Sequence, residues 1–167
     1  MTSKFTEALT LINKKQFNDA KKIFSEILKN EPNNFSAYNN LGNIYFILGN
    51  LDSALQNYDN AIKLKKDFAD AYNNKGNVLI KLNKKKDAIE SYQKAIQFNK
   101  AHFQAYYNLG AALKEQKKYE LAVENYKKAK KLKPDYLEVY IGLGNLYLEI
   151  KNNNLALECF EDAIKIK

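Results

Sequence analysis

Apolar and polar positions along the chain follow the 3.6-residue period of an amphipathic helix, interrupted at intervals by short breaks. One apolar set has the spacing i, i+3, i+4, i+7 that places its members on a single helical face. It consists of Tyr38, Leu41, Gly42 and Tyr45. A break at Gly49 follows, and glycine is the residue that most readily ends a helix. The pattern predicts a helix that stops at a tight turn.

A second helix follows the turn, with an apolar face of its own formed by Leu51, Ala54, Tyr58 and Ala61. Gly42 and Ala54 carry little or no side chain, and two antiparallel helices approach closely only where side chains are small. Large aromatic residues nearby then fill the remaining space. The two segments are therefore predicted to form a helical hairpin that stacks on its neighbours.

The same pattern returns with a fixed period of about 34 residues, a length that indicates a stacked helical repeat protein. The glycine recurs at Gly42, Gly76, Gly110 and Gly144, and the alanine at Ala20, Ala54, Ala88, Ala122 and Ala156. We expect one array over residues 1–167, with repeats at 1–34, 35–68, 69–102, 103–136 and 137–167.

Position 33 of each repeat is predicted to cap the helix that opens the next one. It holds Asn33, Asp67, Ala101 and Asp135. Three of these four are favourable N-cap residues, because a short polar side chain accepts hydrogen bonds from the first helical N–H groups. Asp135 and Glu138 also have the spacing of a capping box.

The motif aromatic-x-x-Leu-Gly-x-x-Tyr at 38–45, followed by Ala54, Tyr58 and Ala61, resembles the tetratricopeptide repeat (TPR) family. The resemblance covers the whole chain, although the first repeat lacks the first-helix motif. It implies an all-α fold, a right-handed superhelical solenoid of five antiparallel helix-turn-helix hairpins. It also implies that the first helix of each hairpin lines a concave groove, with repeat positions 2, 5, 6, 9, 12 and 13 facing inward.

Asparagine occupies many of these inward positions, in two rows along the middle repeats. The candidate peptide-binding residues are Asn39, Asn40, Asn43, Asn73, Asn74, Asn77, Asn108 and Asn145, with Tyr107 as an apolar neighbour. An amide side chain offers both a donor and an acceptor, so a row of amides can pair with the backbone of an extended peptide. The rows are similar to the asparagine ladder of O-linked N-acetylglucosamine transferases. The alternative origin is compositional, because the chain holds 22 asparagines.

The chain has a net charge of +8, from 27 lysines and no arginine against 19 acidic residues. The positive excess falls in the third and fourth repeats, whereas the last repeat is acidic. Lysines without arginine forks or interleaved stacking aromatics argue against nucleic acid as a partner. The charge asymmetry favours head-to-tail contacts between copies only weakly.

The sequence offers no catalytic or metal-binding constellation, and we expect neither enzyme activity nor a cofactor. His102 is the single histidine and is expected to be a solvated loop residue. The single cysteine, Cys159, is expected either to be a small buried apolar group or, on an uncovered last repeat, an exposed thiol. One cysteine, the lack of an apolar run of membrane-spanning length and the lack of a secretory signal together favour the cytoplasm.

The leading hypothesis is a non-catalytic protein-interaction scaffold that binds a peptide segment of a partner in its concave groove. Two alternatives stay open. The chain is the N-terminal substrate-recruiting arm of a larger, glycosyltransferase-like enzyme, or it is a structural scaffold that self-associates through an uncapped last repeat.

Overall fold

The structure, a computed structural model, describes residues 3–166. Within that range the chain folds entirely into helices and the turns between them, without a strand. The ten helices are α1 (Ser3–Asn13), α2 (Phe17–Asn30), α3 (Phe35–Ile47), α4 (Leu51–Leu64), α5 (Ala69–Lys81), α6 (Lys85–Phe98), α7 (Phe103–Glu115), α8 (Tyr119–Leu132), α9 (Leu137–Glu149) and α10 (Asn153–Ile166). The predicted all-α fold of helical hairpins is confirmed.

The predicted turn at Gly49 is confirmed, and its geometry explains why α3 stops there. Gly49 has φ of +79°, in the left-handed region. The Gly49 N–H donates to the Phe46 carbonyl at 3.1 Å, and the Asn50 N–H donates to the Tyr45 carbonyl at 2.9 Å. These two bonds satisfy the last carbonyls of the helix, as in a Schellman motif. Residues with positive φ recur at the equivalent position of the other repeats: Lys15, Asn83, Lys117 and Lys151.

The helix caps lie one residue later than the sequence predicts. The N-cap of α3 is Asn34, not Asn33, and its Oδ1 accepts from the Ala37 N–H at 2.9 Å. The N-cap of α9 is Tyr136, which makes no side-chain cap bond, so the proposed capping box that starts at Asp135 is wrong. The helix begins one residue further on, and the aspartate therefore lies outside it.

His102 is the N-cap of α7, and the expectation that it is a solvated loop residue is wrong. It is 7% exposed, and its Nδ1 accepts from the Ala105 N–H at 3.3 Å. An imidazole at this position turns back over the first helical turn, as a capping side chain does.

The chain divides into two compact units, one containing α1–α5 and the other α6–α10. In the first unit, Phe5 and Phe24 pack edge to face with their ring centroids 5.3 Å apart. Ile27, Leu41 and Ile44 belong to the same buried cluster. Burial of such apolar side chains supplies most of the stabilisation of a helical hairpin, because isolated helices of this length are marginal.

In the second unit, the largest fully buried side chains are Val139, Leu143 and Leu146, all on α9. Tyr126 on α8 is also buried. Cys159 on α10 is buried, which confirms the expectation of a small apolar group over that of an exposed thiol. Burial raises the pKa of its thiol, and the lysine at position 130 opposes that rise.

The small residues lie where helices touch, as predicted. A Cβ built on Gly42 would lie 2.7 Å from Cε1 of Tyr58, and one on Gly110 would lie 2.9 Å from Cδ1 of Tyr126. Each glycine therefore makes room for the tyrosine of the second helix of its own hairpin. This packing explains why glycine persists inside a helix, where it costs about 1 kcal/mol relative to alanine.

Candidate functional site

The first unit contains a cavity of about 460 Å³, which we call the groove. Helices α1, α3 and α5 contribute most of its lining, and α4 contributes one residue. The lining consists of Leu9, Ile12 and Asn13 from α1, Asn40, Asn43, Ile44, Phe46 and Ile47 from α3, Tyr58 from α4, and Asn74 and Asn77 from α5. The groove thus combines apolar side chains with amides.

The repeat period brings these residues together. Asn40 and Asn74 are one repeat period apart, as are Asn43 and Asn77, so each pair occupies equivalent positions on α3 and α5. The two amides on one helix are also three residues apart, and residues with that spacing lie on the same helical face. Equivalent faces of successive hairpins therefore place four asparagines around one cavity.

A hydrogen-bond network holds the amides of α3 and α5 in place. The Tyr58 hydroxyl donates to Asn43 Oδ1 at 2.7 Å. Asn74 Nδ2 donates to the same oxygen at 3.1 Å and to Asn39 Oδ1 at 3.2 Å. The network joins three helices through side chains alone, so the orientation of the Asn43 amide is set by its neighbours.

The described lining of the groove is uncharged. None of the described lining residues carries a charge, although Lys81 borders them with its Nζ 4.5 Å from the centroid of the Phe46 ring. Burial raises the pKa of Tyr58 well above that of a free phenol. Its hydroxyl therefore stays protonated at neutral pH and remains the donor to Asn43.

Four of the predicted site residues line the groove: Asn40, Asn43, Asn74 and Asn77. Two others lie behind it. Asn39 is 8% exposed and accepts from Asn74, and Asn73 is 6% exposed with its Nδ2 3.5 Å from Asn74 Oδ1. Both were expected to face a ligand directly. Their burial against the helix packing instead gives them contact with the amide that lines the groove.

The remaining predicted residues belong to the second unit. Tyr107 is half-buried, with its ring centroid 5.5 Å from that of Tyr126 and 5.4 Å from that of Tyr136. Burial raises the pKa of Tyr107, and nearby Glu138 adds to that rise. Asn108 on α7 is half-buried and Asn145 on α9 is exposed. Tyr107 is thus part of an aromatic cluster.

Sequence reasoning missed the contribution of α1 to the groove. Leu9, Ile12 and Asn13 stand at repeat positions 9, 12 and 13, which the family resemblance assigns to the inward face. The first repeat lacks the first-helix motif of the other repeats, so these positions were not among the predicted site residues. Tyr58 was also missed as a site residue, because its place on the apolar face of the second helix predicts packing rather than a hydroxyl in the groove.

Two features are absent from the part of the chain that the structure describes, namely a metal-binding cluster and a membrane-spanning helix. Among residues 3–166 no group of three histidine, cysteine or acidic side chains is placed to hold a metal ion. In the same range no helix has the length and apolar character needed to cross a bilayer.

Solved structures with the same fold include those of MamA, YrrB and PilF. The crystal structure of MamA is 26% identical with a TM-score of 0.81, over 95% of this chain and 93% of that one. YrrB, described as a TPR protein with an unusual peptide-binding site, is 22% identical with a TM-score of 0.73, over 98% and 84%. PilF of Pseudomonas aeruginosa is 18% identical with a TM-score of 0.91, over 99% and 75%. No curated protein matches the chain by sequence.

Family models identify the repeats directly. A model described as TPR repeat matches residues 42–83 and 76–117. Two models described as tetratricopeptide repeat match residues 102–167 and 23–56. Together these matches extend from residue 23 to residue 167, a stretch that contains part of α2 and all of helices α3 to α10. The chain belongs to the tetratricopeptide repeat family.

Proposed function

We propose that this chain is a non-catalytic protein-interaction scaffold that holds an extended peptide segment of a partner in the groove. We also infer that it comprises five repeats, since the bounds of the hairpins recur with the same period from α1 to α10. The observation that carries the proposal is the cavity of about 460 Å³, whose lining combines four asparagines with an apolar wall. Cavities of roughly 300–1,000 Å³ are the size that holds small ligands or a few residues of a peptide.

The chemistry of the lining suits a peptide. Amide side chains hydrogen-bond to backbone N–H and C=O groups whatever the sequence, while apolar surface between them accepts side chains. Family membership supports the same function, because TPR proteins of this fold include YrrB with its peptide-binding site. The groove is lined by amide, apolar and tyrosine side chains, and such a lining favours binding of a ligand.

A displayed library of 12-residue random peptides, selected on the intact chain, tests this proposal. Binding of the recovered peptides is then measured by fluorescence polarisation against the wild type and the Asn40→Ala/Asn74→Ala double variant. Each lost hydrogen bond is worth about 1 kcal/mol, so we expect the double variant to bind roughly 10- to 30-fold more weakly.

Asn18→Ala is the matched control, because Asn18 is an exposed asparagine on α2 outside the groove. It is expected to bind like the wild type. Circular dichroism and a thermal melt confirm that each variant is folded. If the recovered peptides bind the double variant as tightly as the wild type, peptide binding in the groove is wrong.

A second candidate function, self-association, is favoured by one observation on α10. Leu157 and Ile164 are 60% and 75% exposed, and their i, i+7 spacing places them on one side of the helix. Exposed apolar side chains in line mark contact surfaces. Sedimentation velocity at increasing concentration tests it: mass that rises in the wild type but not in Leu157→Lys/Ile164→Lys supports self-association, and a constant monomer mass refutes it.

A further inference from the structure

We propose that the groove selects an uncharged, extended segment carrying one large apolar side chain, and that the Tyr58 hydroxyl strengthens binding of this segment by orienting the Asn43 amide. The inference rests on the proposed function and specifies its ligand. It follows from three properties of the groove: the absence of charge in its described lining, its apolar wall and the fixed polarity of its amides.

The first property is charge. The chain carries 27 lysines and 19 acidic residues, yet the described lining of the groove contains neither kind. A charged side chain that entered the groove would lose hydration and gain no ionic partner within that lining, which is unfavourable. Lys81 borders the lining beside the Phe46 ring. Its position at the edge leaves the interior suited to neutral groups.

The second property is the apolar wall. Leu9 and Ile12 of α1 and Phe46 and Ile47 of α3 all line the cavity. Ile47 is 54% exposed, so part of this wall is open to a ligand. Burying one large side chain against such a wall contributes about 1.5–3 kcal/mol. The wall therefore favours a ligand with an aromatic or branched aliphatic anchor.

The third property is the polarity of the amides. Asn43 Oδ1 accepts from both Tyr58 and Asn74, which occupies its two lone pairs. Its Nδ2 is thus the group that it offers to a ligand. Asn40 Nδ2 donates to the Ser36 carbonyl at 2.8 Å, which leaves Oδ1 as its group for a ligand.

One donor and one acceptor, three residues apart on α3, match the C=O and N–H of an extended backbone. A helical segment fits less well, because its backbone groups are already paired with one another. The groove is therefore built for an extended peptide.

Tyr58 is a positioning residue in this scheme, since it acts on the ligand through Asn43. The Tyr58 hydroxyl holds Asn43 Oδ1 on the side of α4, and removing this hydroxyl allows the Asn43 amide group to flip. Asn43 would then present either its oxygen or its nitrogen, and a peptide carbonyl would lose its donor part of the time. Tyr126 stands at the equivalent repeat position in the second unit, two repeat periods further along the chain, and provides a matched control.

The composition of the library peptides tests the ligand class. Only those that bind the wild type better than Asn40→Ala/Asn74→Ala are compared. We expect them to share one large apolar residue with uncharged residues on either side. Enrichment of acidic or basic residues next to the anchor overturns this inference and leaves peptide binding in the groove intact. Recovery of no groove-dependent peptide overturns both.

A double-mutant cycle tests the role of Tyr58, with one enriched peptide, capped at both ends, titrated by calorimetry. We expect Tyr58→Phe to weaken binding about fivefold to tenfold, the worth of one hydrogen bond, and Tyr126→Phe to leave it unchanged. In an Asn43→Ala background, Tyr58→Phe should have no further effect, because the two residues act as a pair.

Equal losses in both backgrounds would mean that Tyr58 acts through packing and would overturn its positioning role. Asn43→Asp supplies an independent variant, since it keeps the acceptor for Tyr58 but replaces the donor with a carboxylate oxygen. It should weaken binding of the same peptide at least tenfold. Unchanged affinity in this variant would overturn the assignment of Asn43 Nδ2 as the donor.

Discussion

Replacing Gly42 with alanine tests how tightly the core and the groove are linked. A Cβ at this position would lie 2.7 Å from Cε1 and 2.9 Å from Cδ1 of Tyr58. Ordinary contact begins at 3.4 Å, so the ring must retreat by about 0.7 Å. Tyr58 is 1% exposed, and its hydroxyl is held at 2.7 Å from Asn43 Oδ1. The ring therefore has little room to move without breaking that bond.

The size of the effect follows from three contributions. Forcing a methyl group into a packed interior costs about 1–3 kcal/mol. Lengthening the hydrogen bond between Tyr58 and Asn43 costs about 1 kcal/mol more. Alanine in place of glycine in a helix returns about 1 kcal/mol. We expect Gly42→Ala to lower the free energy of unfolding by about 1–3 kcal/mol, and to lower Tm by about 2–4 °C per kcal/mol in a chain of this size.

Urea denaturation followed by circular dichroism measures the change, with Gly142→Ala as the matched control. A Cβ at Gly142 would meet its nearest atoms, in Tyr126 and Tyr107, at 3.2 to 3.3 Å. Those neighbours need to yield only slightly, and the helical preference of alanine offsets the cost, so we expect a change within about 0.5 kcal/mol. If Gly42→Ala is as stable as the wild type or more stable, the packing argument is refuted.

Three further predictions concern the turns, caps and tyrosines, and urea unfolding measures each of them. Gly49→Ala should destabilise the chain by about 1 kcal/mol because residue 49 has a positive φ, although the space around it is open. An unchanged free energy of unfolding would contradict this backbone strain. Asn34→Ala should cost about 1 kcal/mol through loss of the bond from the Ala37 N–H, and an effect below about 0.3 kcal/mol would contradict the assigned cap. Burial raises the pKa of Tyr58, and it raises that of Tyr136 to about 12. The free energy of unfolding should keep the full contribution of these tyrosines below about pH 10, where tyrosine in the unfolded chain titrates, and should fall as the pH rises toward 12. Equal free energies of unfolding at pH 9 and pH 11.5 would contradict this prediction.

The sequence predicted the hairpins well because their determinants are local and repeated. The turn at Gly49 and the contact between Gly42 and Tyr58 both follow from residue types at fixed offsets. Helix starts were harder to place. Asn33 and Asn34 are equally good capping residues by type, and only the backbone geometry shows that Asn34 caps α3.

The groove was predictable in outline and not in detail. The repeat period makes Asn40 equivalent to Asn74 and Asn43 to Asn77, and the TPR resemblance implies that these positions face inward; all four residues line the cavity. The period did not separate them from Asn39, because a residue one position away on a helix turns by about 100° and can point into the packing. The network through Tyr58 was also beyond the sequence, since it depends on a distance between two helices.

The most direct test of peptide binding in the groove is a two-dimensional ¹H–¹⁵N spectrum of the labelled chain, titrated with a library-derived peptide. The side-chain NH₂ signals of asparagine report on each amide separately. We expect the signals of Asn40, Asn43 and Asn74 to shift with the peptide concentration, while that of Asn18 on α2 stays in place. A saturable shift confined to Asn18 and the other residues of α2, with the groove signals unmoved, would contradict the account.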